Sequence, residues 1–142
     1  MSGLAAVLAH RHDPGVYRWH AAFRPDEVAH TVEHAGWRFA HVDAWPTDTK
    51  DEFLERLAKA LDFPSWFGGN LDALADSLAD LGLDSPGMVV LWDGWGPFAH
   101  TDERGFAKTL DVLRQRATVT DRPLVVLLRG DGPDVDGLTS LD

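Results

Sequence analysis

Two short runs of uninterrupted apolar residues, Met88-Val89-Val90-Leu91-Trp92 and Leu124-Val125-Val126-Leu127-Leu128, constrain the fold of this chain more than any other feature. A strand with one wet face alternates apolar and polar residues. A strand that is apolar at every position must be covered on both faces, as in the centre of a parallel sheet flanked by helices. Between the two runs the sequence predicts a long helix from Thr101 to near Arg114 and Arg116, whose cations suit the negative end of a helix dipole. Parallel neighbours joined through a helix cross over with a right hand. The fold class read from these segments is α/β, a small parallel β-sheet of three to four strands packed with α-helices.

The remaining segments extend the same alternation. Val16 to Ala21 reads as a short strand, followed by a helix that opens at Pro25 with Asp26 and Glu27 in its first turn and ends before Gly36. Trp37 to Asp43 is a further strand, with Trp37 and Trp92 expected in the core. Thr49 and Glu52 form a capping box for a helix that turns Phe53, Leu54, Leu57 and Leu61 inward and stops before Pro64. At 142 residues the chain fits one domain, able to bury roughly two thirds of its unfolded surface.

Charge separates one region from the rest. Between Lys59 and Arg104 there is no lysine or arginine, while Asp62, Asp72, Asp76, Asp80, Asp84, Asp93, Asp102 and Glu103 all fall there. Within it, a helix from about Gly69 to Leu81 places Asp72, Asp76 and Asp80 one turn apart. At about 100° per residue they drift across only about 80° of circumference and form one acidic stripe. Leu71, Leu74, Leu78 and Leu81 gather on the opposite side. Ala73, Ala75 and Ala79 flank the stripe, so the carboxylates stand above short neighbours. Repulsion between like charges at this spacing costs a few tenths of a kcal/mol per pair. Asp72 gains from the helix N-terminus, whereas Asp76 and Asp80 have no such local compensation. The formal charge of -10 points away from nucleic acid and anionic membrane and toward a basic protein.

The segment Phe63-Pro64-Ser65-Trp66-Phe67-Gly68-Gly69-Asn70-Leu71-Asp72-Ala73-Leu74-Ala75-Asp76 resembles the signature of the barstar family, inhibitors of secreted ribonucleases, whose motif runs Pro-x-aromatic-aromatic-Gly-x-Asn-Leu-Asp-Ala-Leu-x-Asp. Every fixed position is met. The likeness extends more weakly from Trp37 to Arg129. It divides the chain into a strand-helix extension (1–36) packed on the same domain, a barstar-like unit (37–129) and a polar tail (130–142).

The resemblance implies an intracellular inhibitor of a basic, extracellular-type ribonuclease or related toxin domain, with no catalytic activity and no cofactor. Such an active site gathers cations to hold phosphate, so a rigid row of carboxylates can occupy the phosphate positions. By motif position, Trp66, Gly68, Asn70, Asp72 and Asp76 fall on the contact surface, Asp76 as its main anchor; Ala75 and Asp80 adjoin them. The chain departs from the family at Ala75 and Leu81, where members place aromatics, and at Gln115, where they place an acid. These departures imply a partner of its own.

Competing chemistries are weaker in the sequence. Asp72 and Asp76 could serve a small metal- or ligand-binding α/β enzyme, but Mg²⁺ at such a pair usually needs further carboxylates or substrate phosphates. His30 and His34, four residues apart, supply only two of the ligands a zinc site requires. Gly94-Trp95-Gly96-Pro97-Phe98-Ala99 formally matches a dinucleotide fingerprint. Asp102 and Glu103 would oppose pyrophosphate there, and a hydrophobic loop packed on the sheet is expected instead. Asp134-Val135-Asp136-Gly137 lacks the last glutamate of a calcium loop, and disorder is its default. Cysteine is absent and Leu4 to Ala9 is too short for a signal peptide or a span, so the expected location is cytoplasmic.

Overall fold

The computed structural model describes residues 2–64, 67–81, 85–119 and 121–141. Among them the order of elements is α1 (Ser2–Leu8), β1 (Gly15–Arg18), α2 (Pro25–His34), β2 (Arg38–Asp43), α3 (Lys50–Ala60), α4 (Leu71–Ala79), β3 (Met88–Asp93), α5 (Gly96–Thr101), α6 (Glu103–Ala117), β4 (Leu124–Arg129) and β5 (Thr139–Ser140). The strands form one parallel sheet in the order β2-β3-β4-β1-β5. The two apolar runs are its inner strands β3 and β4, paired Val89 to Val125 and Leu91 to Leu127.

Alternation along these strands sends side chains into two separate cores. Val90, Trp92, Val126 and Leu128 face Phe53, Leu54, Leu57, Leu74, Leu78, Phe106, Leu110 and Leu113 of α3, α4 and α6. Val89, Leu91, Val125 and Leu127 face Leu4 and Val7 of α1, Val28 and Val32 of α2, and the buried Trp19, Trp37 and Leu141. Phe53 stacks on Trp92 with ring centroids 4.0 Å apart. The result is three layers, with helices on both faces of the sheet.

Several expectations change. The sheet has five strands, because residues 130–142 are not simply a polar tail. Thr139–Ser140 pair with Tyr17 and Arg18, Leu141 enters the second core, and Val135 and Leu138 pack against the first. A two-residue strand leaves no periodicity to read. Helix α1 was equally illegible, since seven residues cannot hold a helix alone and this one exists by burying Leu4 and Val7. The helix expected from Thr101 is α6, starting at Glu103 with Asp102 as its cap, which accepts a hydrogen bond from the Gly105 amide at 2.9 Å; a separate short helix, α5, precedes it. Strand β1 stops at Arg18, not Ala21, as the chain leaves the sheet toward α2.

The Gly94 to Ala99 segment, expected as a hydrophobic loop, does bury Trp95 and Phe98 but enters helix α5 at Gly96, with Pro97 in its first turn. A β-carbon at Gly96 would collide with the carbonyl oxygen of Asp131, so the glycine serves close chain approach.

Candidate functional site: the acidic helix at the amino end of the sheet

Helix α4 is short, and its surroundings hold it at both ends. At the start, Phe67 donates its amide to Pro64 O at 2.9 Å, Gly69 takes φ +67°, and Asn70 is the N-cap. The Asn70 Oδ1 accepts from the Ala73 amide at 2.8 Å. This residue, expected on the contact surface, therefore also fixes the direction in which the helix starts.

At the other end two arginines from distant parts of the chain donate to carbonyls of the last turn and of Leu81 just beyond it. Arg116 of α6 donates through Nε to Leu78 O at 2.7 Å and through Nη2 to Leu81 O at 2.8 Å. Its Nη1 bonds Arg122 O at 2.6 Å, and Arg122 in turn donates to Ala79 O at 2.7 Å. Burial, with the Arg122 charge close by, pulls the Arg116 guanidinium below arginine's ordinary range. The helix dipole offsets this by placing partial negative charge where the two cations sit. The sequence suggested cations ending α6, but not that one of them reaches across to end α4.

Between these fixed ends the faces sort as expected. Leu74, Leu78 and Leu81 are buried and Leu71 packs partly against them; Asp72, Ala75, Asp76 and Asp80 are exposed. One boundary differs from expectation. The helix ends at Ala79, so Asp80 is its C-cap, and a carboxylate at the negative end of a dipole gains nothing locally. Leu81, whose position carries a surface aromatic in the resemblance, is 7% exposed and belongs to the core. Gln115 is exposed on α6. Gly68 lies beside the cap, and Trp66 falls outside the described residues.

The structure adds the loop before α4 to this surface. Helix α3 ends in a Schellman motif in which Phe63 donates to Ala58 O at 2.9 Å and Asp62 to Lys59 O at 3.3 Å. Asp62 thereby takes φ 54°, a position where glycine would cost less. A cavity of about 290 Å³ opens between this loop and α4, floored by Leu61, Phe63, Pro64 and Leu81 and edged by Asp62, Asp76 and Asp80 against the single cation Arg38. Arg38 is the first residue of β2, which puts the acidic surface at the amino end of the sheet. A second cavity of about 560 Å³ on the other side of the loop carries Asp51, Glu55 and Asp62 with Lys59. A depression with apolar floor and carboxylate rim suits the stem and head of a lysine or arginine.

His30 and His34 stack with centroids 6.2 Å apart on α2, away from this surface. Among the described residues no three histidine or carboxylate side chains form a metal-ligating group.

Comparison with known proteins agrees with this architecture. Residues 37–129 match the family described as Barstar (barnase inhibitor). No curated protein sequence matches the chain. Among solved structures, the chain is similar in fold to the Aeropyrum pernix ORC2 protein, determined in ADPNP–ADP complexes, with a TM-score of 0.65 at 14% identity. The similarity covers 92% of this chain but 38% of that protein's length.

Proposed function

The chain belongs to the barstar family, and from that membership we propose that it is an inhibitor of a basic ribonuclease or related toxin domain, blocking the partner's active site with α4. The observation that carries the reading is the exposed row Asp72, Asp76 and Asp80 on a helix fixed by Asn70 at one end and by Arg116 and Arg122 at the other. A helix held at both ends needs no backbone ordering on binding, so presenting its carboxylates to the partner's phosphate pocket costs only their side-chain rotamers. Asp76 sits centrally, between the stripe and the cavity that it edges with Asp80 and Asp62. A partner arginine or lysine entering there would meet carboxylates with its charge and Phe63 and Pro64 with its stem. The inhibitor acts in the cytoplasm, where a chain without cysteine is indifferent to reducing conditions.

The test is inhibition of RNA cleavage by barnase and by a panel of other basic secreted ribonucleases, followed by stopped-flow association across ionic strength. Stoichiometric inhibition of at least one enzyme is expected, with an on-rate that falls steeply as salt rises while the off-rate changes less. An on-rate flat with salt, or no inhibition across the panel, would remove the acidic-helix reading.

A further inference from the structure

At the opposite, carboxyl end of the sheet lies a cavity of about 530 Å³ whose lining reverses the sign of the chain. Its lining holds Arg18, Arg24 and Arg129 with His20 and one carboxylate, Asp131, in a protein of formal charge -10; behind the lining, Asp93 pairs with Arg129, and the exposed Asp26 and Glu27 lie 3.2 and 3.6 Å from Arg24 Nε. The other cavities described above are edged mainly by carboxylates. Its size falls within the range of small-ligand sites.

Its place in the fold is the one where open parallel sheets bind ligands. From β1 the chain passes to α2, on one face of the sheet; the chain leaving the neighbouring β4 packs Val135 and Leu138 against the other face. Connections that leave adjacent strands in opposite directions open a crevice beyond their carboxyl ends.

Within the crevice the arginines differ in role. Arg129 is engaged on every nitrogen: Nε and Nη2 bond the Asp93 oxygens at 2.7 and 3.0 Å, while Nη1 bonds Ala21 O at 3.1 Å and also Phe23 O. It is a positioning residue that draws the loop after β1 over the strand ends. Arg18 is not saturated. Its side chain is only 20% exposed and lies over the Trp95 ring at 5.1 Å, its Nε is buried with no hydrogen-bond partner, and its nearest carboxylate, the fully exposed Asp134, stands 4.0 Å away. A buried guanidinium nitrogen without an acceptor is costly, and such groups ask for an explanation. Among the described residues the amides of His20, Ala21, Ala22 and Phe23 donate no hydrogen bond either. Successive free amides beside a guanidinium are the donors that phosphate oxygens accept. Phe23, 37% exposed, adds an apolar wall.

We propose that this cavity binds a phosphate-bearing small molecule of the nucleotide or polyphosphate class, held by Arg18, Arg24 and the amides of the loop after β1. It is distinct from the G-x-G-x-x-A segment, whose Trp95 and Gly96 are packed shut. It is also independent of the acidic helix, so either site can fail without the other.

Titration of the full chain with ATP, pyrophosphate and adenosine, read by calorimetry and by the fluorescence of the adjacent Trp19 and Trp95, tests the proposal. Saturable binding of ATP and pyrophosphate is expected, with none of adenosine. Arg18→Gln should weaken both by about tenfold or more, and the exposed Arg24→Gln by a smaller factor with unchanged melting. Binding of ATP alone, weakened by the same variants, would retain the site and assign its apolar wall to the organic group. No saturable binding of either phosphate compound at millimolar concentration would overturn it. So would affinities unchanged in Arg24→Gln and in folded Arg18→Gln.

Discussion

The two ends of the sheet use aspartate in opposite ways. At the amino end, Asp72, Asp76 and Asp80 are exposed on α4, and no ion pair to any of them occurs among the described residues. At the carboxyl end, Asp93 is mostly buried between Arg129, which grips both its oxygens, and His41, whose Nε2 lies 2.8 Å from Oδ2. Burial pushes the Asp93 carboxyl up, but the hydrogen bonds from Arg129 and His41 outweigh it and hold the group below the usual carboxylate range. A carboxylate whose charge is answered within the fold stabilises the fold. One left unanswered costs a little repulsion and stays available to a partner. The same residue type thus serves architecture at one end and recognition at the other, and substitutions at the two ends should separate these effects.

The largest effect is expected at the paired end. Asp93→Ala would strand the mostly buried Arg129 cation and release the loop it holds, costing about 3–5 kcal/mol of stability. Denaturant unfolding measures it, and the folded fraction should bind its partner as before. A loss below about 1 kcal/mol would mean that the Asp93 network is no stronger than a surface ion pair.

Asp76→Ala should do the reverse. Partner affinity should fall by about 2–5 kcal/mol, because a cation in the partner is left without its carboxylate, while melting stays unchanged. Equal affinity in calorimetry with an intact fold would sink the central role of Asp76. A large drop in melting would show that the two ends are not divided as described.

A smaller effect distinguishes the ends by pH. Since the folded Asp93 carboxyl titrates below its unfolded value, its contribution is full above the ordinary carboxylate range and disappears as pH falls through the folded value. Wild type should therefore lose more stability on acidification from neutral pH into that range than Asp93→Asn does. Parallel curves for the two proteins would contradict the Asp93 pairing.

The smallest change concerns Asp62, held at φ 54° at the end of α3 and shared by both acidic cavities. Asp62→Gly should stabilise the fold by about 0.5–1 kcal/mol, since glycine takes this conformation without strain. It should also slow partner association at low salt by removing one steering charge. Faster association of the variant would place Asp62 outside the steering surface.

Much of this was legible in the residues. Continuous apolar runs identified β3 and β4, leucine spacing set the buried side of α4, and the order of Asn70, Asp72, Ala75 and Asp76 oriented its exposed side. These features are local: strand burial, helical periodicity and caps depend on neighbours within about one or two turns. The same leucine spacing placed Leu81 on the buried side, where the fold puts it.

What only the tertiary structure decided comes from pairs far apart in sequence. Arg116 reaches Leu78 across 38 positions, Arg129 reaches Asp93 across 36, and Arg129 reaches Ala21 across 108. Folding brings such groups together through strand order, and strand order is set by burying two apolar faces at once rather than by any short segment. The chain therefore announces its acidic helix in its own residues. Its basic crevice emerges only when β1, first in sequence, is laid beside β4.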